Sequence, residues 1–244
     1  MRGMRALRLF AVSSGLVGLL GCDSGWTLSQ FTSRSVSLVA TDVSVPAYDL
    51  MLEYDVQAKG CARIGGVRAT QDGQGLNASE RGGPGPDAAD DCPFPRWPLL
   101  RGAADSTYTT LKLEDGTGKI QAVFRSLFAK RSVALTSAPT GRVGDSVDVE
   151  LQPITDTASD IEASFLANGA AAVDKVVWFN ATSGQASFEG NKVHVTIPAR
   201  QSPATGKLTV AATLQPEVFA CEGADKCRTQ ALVVSVESAF TVTP

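Results

Sequence analysis

The chain has 244 residues, with 22 lysines and arginines against 25 aspartates and glutamates, one histidine and a formal net charge of −3. Its basic residues form no block, which argues against nucleic acid, whose binding rests on clustered neutralisation of phosphates. The same scatter argues against a polybasic attachment to anionic lipid.

The first eight residues carry Arg2, Arg5 and Arg8 and no acid, and an apolar stretch of twelve residues follows from Leu9 to Leu20. Spanning a bilayer as a helix takes about 20 residues, so a short apolar run behind a charged start is the pattern of a secretory signal. Leu19-Leu20-Gly21-Cys22 closes it. These four residues resemble the lipobox of bacterial lipoproteins, with an aliphatic residue three before the cysteine and a small one directly before it. The resemblance implies diacylglyceryl transfer to the Cys22 thiol, cleavage after Gly21 and residence in the bacterial cell envelope, facing the periplasm or the exterior. Two or three acyl chains make such an anchor stable, at about 0.8 kcal/mol per buried methylene. Removal of residues 1–21 leaves 223 residues and, with 22 minus three basic groups against 25 acids, a net charge of −6.

Beyond the tether, expected over residues 22–34, alternation with a period of two dominates. Ser35–Thr41 reads as a strand, and Asp49–Val56 places Leu50, Leu52, Tyr54 and Val56 on one face against Asp49, Glu53 and Asp55 on the other, the pattern of a strand with one buried side. Gly60 to Asp105 shows no convincing element and is rich in glycine and proline. Thr107–Leu113 and Lys119–Phe124 are strand candidates. Ser137–Asp145 fits a domain boundary. Val147, Val149 and Leu151 then alternate with Asp148, Glu150 and Gln152. The segment from Ser159 to Gly169 reads either as a capped helix or as a strand through Ile161, Ala163 and Phe165, with the strand preferred because its neighbours are strands. Lys175–Phe179, Lys192–Ile197, Leu208–Leu214 and Ala231–Val242 complete the series. The expectation is an all-β protein of two β-rich domains. One covers 35–137 with a long Gly/Pro-rich loop at 60–105, and the other covers 138–244.

In the second half, Gly144-Asp145-Ser146-Val147-Asp148-Val149 resembles the opening of a bacterial Ig-like domain, where a Gly-Asp turn leads into the first core strand. Val195–Pro198 and Gly206–Val210 are similar to the later strands of such modules. The resemblance implies an antiparallel β-sandwich over about residues 139–244. The Cys and Trp spacing of antibody-type domains is missing, although Trp178 falls on a core strand. A shared fold says little about function.

Setting Cys22 aside, Cys61, Cys92, Cys221 and Cys227 remain. An even number in an exported chain points to disulfides, and proximity pairs Cys61 with Cys92 and Cys221 with Cys227. Zinc is the competing reading, against which stand the wide spacing of Cys221 and Cys227 and the remoteness of the single histidine, His194. Asp87, Asp90 and Asp91 could supply oxygen ligands to Ca2+, but their spacing matches no EF-hand, and solvation of a loop is the plainer reading. No catalytic motif is found: any Ser-His-Asp arrangement would have to be built on His194, and no Gly-x-Ser-x-Gly elbow occurs. Phe94, Arg96 and Trp97 sit on a proline-stiffened stretch, and aromatic and arginine anchors are typical of interfaces, so they are the candidate partner-binding residues. Packing of the loop onto the sheet is the preferred reading for Phe94 and Trp97. The functional expectation is a membrane-anchored, non-enzymatic interaction module whose partner is another envelope protein or a polysaccharide. The alternatives are a hydrolase of an envelope polymer using Asp or Glu side chains, and a structural spacer.

Overall fold

A computed structural model describes residues 27–42, 47–54, 66–79, 94–102, 105–180, 186–189 and 191–244. Its strands are β1 (Arg34–Asp42), β2 (Ala47–Tyr54), β3 (Arg68–Gln71), β4 (Gln74–Leu76), β5 (Arg96–Pro98), β6 (Tyr108–Glu114), β7 (Lys119–Arg125), β8 (Ser132–Leu135) and β9 (Thr140–Arg142). They continue with β10 (Ser146–Gln152), β11 (Thr157–Ala167), β12 (Val176–Asn180), β13 (Ala186–Glu189), β14 (Lys192–Thr196), β15 (Ala204–Gln215), β16 (Glu217–Glu222), β17 (Lys226–Thr229) and β18 (Leu232–Thr243). The described helical segments are two 3-10 turns, at Leu28–Gln30 and Ala172–Asp174.

Alternation decides which face each strand buries. In β2, Tyr48, Leu50, Leu52 and Tyr54 are buried while the residues between them are partly open. Val147, Val149 and Leu151 do the same in β10, and Leu208, Val210, Ala212 and Leu214 in β15. Each buried aliphatic side chain contributes roughly 1.5–3 kcal/mol, and a register slip of one residue would turn a whole row to solvent. The segment from Thr157 to Ala167 is a strand, paired along its length with β15 so that Ala163 faces Val210 and Phe165 faces Leu208.

Four sheets form two sandwiches. In the second, β13-β14-β10-β8 faces β12-β11-β15-β18-β9 across a core that includes Phe165, Trp178 and Phe240. This is the immunoglobulin arrangement, a four-stranded sheet against one extended at its edges. Trp178 stacks on Phe165 at 5.4 Å, meets Phe240 edge-on, and donates its indole N–H to the Gln201 side chain at 2.9 Å. The Asp145 turn works as expected, its carboxylate accepting from the Arg142 N–H at 2.7 Å just before β10 begins.

In the first sandwich, β17-β1-β2-β5 faces β16-β7-β6-β3-β4 over a core containing Leu28, Leu50, Trp97 and Phe124. Three expectations need correction here. The stretch from Gly60 to Asp105 is not without elements, because it holds the hairpin β3–β4 and the strand β5. The hairpin turns on Asp72 and Gly73, whose φ angles of 49° and 83° are both positive. That conformation matches strand twist and favours an Asp-Gly pair. The domain line at residue 137 also shifts, since β8 pairs with β10 in the second sandwich.

The third correction is larger. β16 and β17, which lie in sequence inside the second sandwich between its paired strands β15 and β18, belong to the first. β16 runs antiparallel to β7, and β17 runs parallel to β1. The two strands therefore form an arch that adds an edge strand to each sheet of the first sandwich.

Candidate functional site

Trp97 is only 3% exposed, and its backbone pairs with Leu50. Phe94 packs against the same core and meets Tyr54 edge-on at 5.4 Å. Arg96 pairs with Met51, and its carbonyl accepts the Ser79 N–H at 2.9 Å. Trp97 is thus a core residue, and Phe94, partly buried, packs against that core, so that both hold β5 on the sheet. The three-residue strand buries alternate positions, and Trp97 falls on the inner one. Cys22, Cys61, Cys92, Asp87, Asp90 and Asp91 lie outside the described residues.

Cys221 and Cys227 form a disulfide. Cys221 stands opposite Ala122 of β7 and Cys227 opposite Val36 of β1. The bond therefore ties the two sheets of the first sandwich at one edge, across the arch.

His194 lies on β14, its Nδ1 2.7 Å from Oδ1 of Asp148 on β10. In the register, Ser187 of β13 stands opposite His194 on the other side. Carboxylate, imidazole and hydroxyl-bearing residue thus occupy one cross-strand row. Asp148 and His194 are 44% and 30% exposed, however, and relay chemistry draws its strength from preorganised groups in a water-excluded site. The row is a polar pairing on an open sheet face.

The surface that stands out is on the outer face of β6, β7 and β16. Tyr108, Arg125 and Glu217 occupy one row of the register across these strands. Glu217 accepts from Arg125 at 3.5 Å. The pairing of β16 with β7 shifts between Val218 and Ala220, leaving Phe219 as the extra residue of a bulge. Bulges re-aim side chains, and Phe219, 57% exposed, meets the 43% exposed Tyr108 with ring centroids 4.9 Å apart and planes tilted by 59°. Solitary exposed hydrophobics need no explanation. Two aromatics in mutual contact on an ordered sheet, beside an arginine, form a defined feature. Tyr108 was not singled out, although it lies on the predicted strand Thr107–Leu113, where alternation with Leu111 and Leu113 sets it on the opposite face. Phe219 was not legible, because the bulge breaks the alternation of its strand.

Beside this surface lies the junction of the sandwiches. Arg131, between β7 and β8, donates to both oxygens of Asp156, at 2.6 and 3.2 Å. It also donates to the carbonyls of Leu127, Ala129 and Ser126. Both side chains are almost fully buried, at 2% and 0%. Burial pushes the Asp156 carboxyl above its ordinary range, more than the Arg131 guanidinium pulls it down.

No family model matches the sequence, and no curated protein matches it. Among solved structures, the chain is similar to titin domains Z1Z2 in complex with telethonin. Identity is 15%, coverage 87% of this chain and 95% of that one, and the TM-score 0.22. It is similar too to the N-terminal Ig1-2 module of the Drosophila receptor protein tyrosine phosphatase DLAR. There identity is 12%, coverage again 87% and 95%, and the TM-score 0.22. The assignment of the fold rests on the sheets themselves.

Proposed function

We propose that the chain is a lipid-anchored envelope protein that binds a protein partner through the surface around Tyr108 and Phe219. The observation that carries this reading is the pair of touching, solvent-exposed aromatics beside the Arg125–Glu217 ion pair. Aromatic residues and arginine are enriched among the few positions that dominate binding energy. Here they stand on paired strands, so little entropy is lost in ordering them. The Leu19–Cys22 motif supports the anchor.

Photo-crosslinking in intact cells tests the proposal. A benzoyl-phenylalanine in place of Phe219 should yield a defined protein adduct that is lost when Tyr108→Ala is added. The same probe at Val173, exposed in the second sandwich, should not form that adduct. An adduct from both positions, or from neither, would sink the proposal.

A spacer that lifts the second sandwich from the membrane is the second reading, favoured by the burial of Trp97 in the core and the packing of Phe94 against it. Absence of any adduct from position 219 would move the weight to it.

A further inference from the structure

The path of the chain orders the first sandwich between two poles. Leu28 and Phe31 are buried in its core, so the tether expected over residues 22–34 is too long, and the protein body begins almost as soon as the described chain does. The segment is pinned as well as buried. The Leu28 N–H donates to the Asp115 carboxylate, Arg34 Nη1 donates to the Leu28 carbonyl at 3.0 Å, and the Thr27 N–H donates to the Gln30 side chain at 2.7 Å. Asp115 sits in the turn joining β6 to β7, where it also accepts from the N–H groups of Thr117 and Gly118 at 2.9 and 3.0 Å. Burial alone would raise its pKa, but these hydrogen bonds outweigh burial and hold it below the usual carboxylate range. At the same pole the Asp225 N–H of the arch donates to the Arg34 carbonyl at 2.7 Å.

Every connection to the second sandwich leaves from the opposite pole. The segment after Arg125 leads to β8, Pro216 separates β15 from β16, and Gln230 and Ala231 separate β17 from β18. Tyr108 and Arg125 are paired at that far pole. The six residue steps of β7 from Lys119 to Arg125, at about 3.3 Å each, set the poles about 20 Å apart.

Only residues 23–26 separate Cys22 from Thr27. Five steps of fully extended chain reach at most about 18 Å. The headgroup layer on each side of the hydrocarbon core takes up about 5–7 Å of that reach. On the reading that Cys22 carries the lipid, we infer that the pole formed by Leu28–Gln30, the Asp115–Gly118 turn and the Gly223–Asp225 turn is held against the headgroups of a phospholipid bilayer. The second sandwich then points away from it. Arg34, Lys119 and Lys226 share this pole with Asp115, Glu222 and Asp225, so the covalent tether, rather than net charge, sets the approach. The Tyr108–Phe219 surface stands about one strand length above the membrane, within reach of a partner approaching from the aqueous side.

The test uses the full-length lipidated protein in nanodiscs of phosphatidylethanolamine and phosphatidylglycerol carrying a headgroup nitroxide. A fluorophore is placed at Lys119→Cys or, separately, at Val173→Cys. Quenching should be several-fold stronger at position 119 than at 173. Insertion of twenty Gly/Ser residues after Ser24 should remove the difference while the protein stays bound. Equal quenching at both positions, or a difference that survives the insertion, overturns the inference and leaves the anchor standing. Failure of the protein to associate with nanodiscs, or association undiminished by Cys22→Ser, overturns the anchor itself.

Discussion

Arg131 meets Asp156 where the two sandwiches join, and a single side chain there carries a large share of the local electrostatics. All five guanidinium protons are placed by the two carboxylate oxygens and three backbone carbonyls. A buried pair of this kind adds little net stability over apolar residues of the same size, because desolvation offsets the attraction. Breaking it is another matter. Arg131→Ala should destabilise the protein by about 3–5 kcal/mol, since Asp156 loses the partner that opposes its desolvation and three carbonyls lose a donor. The double variant Arg131→Met/Asp156→Leu should recover most of that loss. Urea unfolding of the three proteins measures both numbers. A double variant no more stable than Arg131→Ala would show that the carbonyl contacts, rather than the ion pair, hold the junction.

At the scale of elements, the arch β16–β17 has the most demanding backbone. Gly223 carries a φ of +74°, and a Cβ there would lie 2.1 Å from the Lys119 carbonyl oxygen. Gly223→Ala therefore costs more than the roughly 1–2 kcal/mol of a left-handed alanine, because the clash is with backbone. We expect amide protection to fall in β16, β17 and their partners β7 and β1, while β11 and β15 keep theirs. Hydrogen exchange followed by mass spectrometry reads this directly, and uniform loss across both sandwiches would contradict it. The same arch shows why part of the fold was hidden in the sequence. Strands such as β2, β10 and β15 bury every second residue whether their partners are near in sequence or far from it, so alternation alone disclosed them. β16 carries a bulge at Phe219, and β17 is an edge strand of four residues, so neither has enough period to be seen. β3 and β4 were missed differently, because Asp72-Gly73 is a strong hairpin signal flanked by strands too short to alternate convincingly. For the proline-flanked aromatics Phe94 and Trp97 the sequence shows the chemistry and leaves both a displayed and a packed role open, because it does not show the sheet they lie on.

The whole molecule is two sandwiches that share one chain in an interlocked order. Residues 217–229 are borrowed from the second to close the first, and Leu232, at the start of β18, also packs into the first core. A protein cut after residue 137 would have unpaired edges on both β1 and β7, and open edges invite aggregation. It would lose the packing of Val218, Ala224 and Cys227 too. The second sandwich has no such debt, because β15 and β18 are already paired up to Leu214 and Leu232. Two excised proteins follow from this asymmetry. Residues 27–137 alone should fail to unfold cooperatively and should self-associate, whereas residues 132–215 joined to 231–244 through Asn-Gly should fold as a monomer. Fusing residues 27–131 to 216–232 through a flexible Gly/Ser linker should restore a cooperative transition to the first sandwich. Thermal unfolding and sedimentation of the three proteins decide the matter. Cooperative, monomeric unfolding of residues 27–137 by themselves would mean that the arch decorates the first sandwich without completing it.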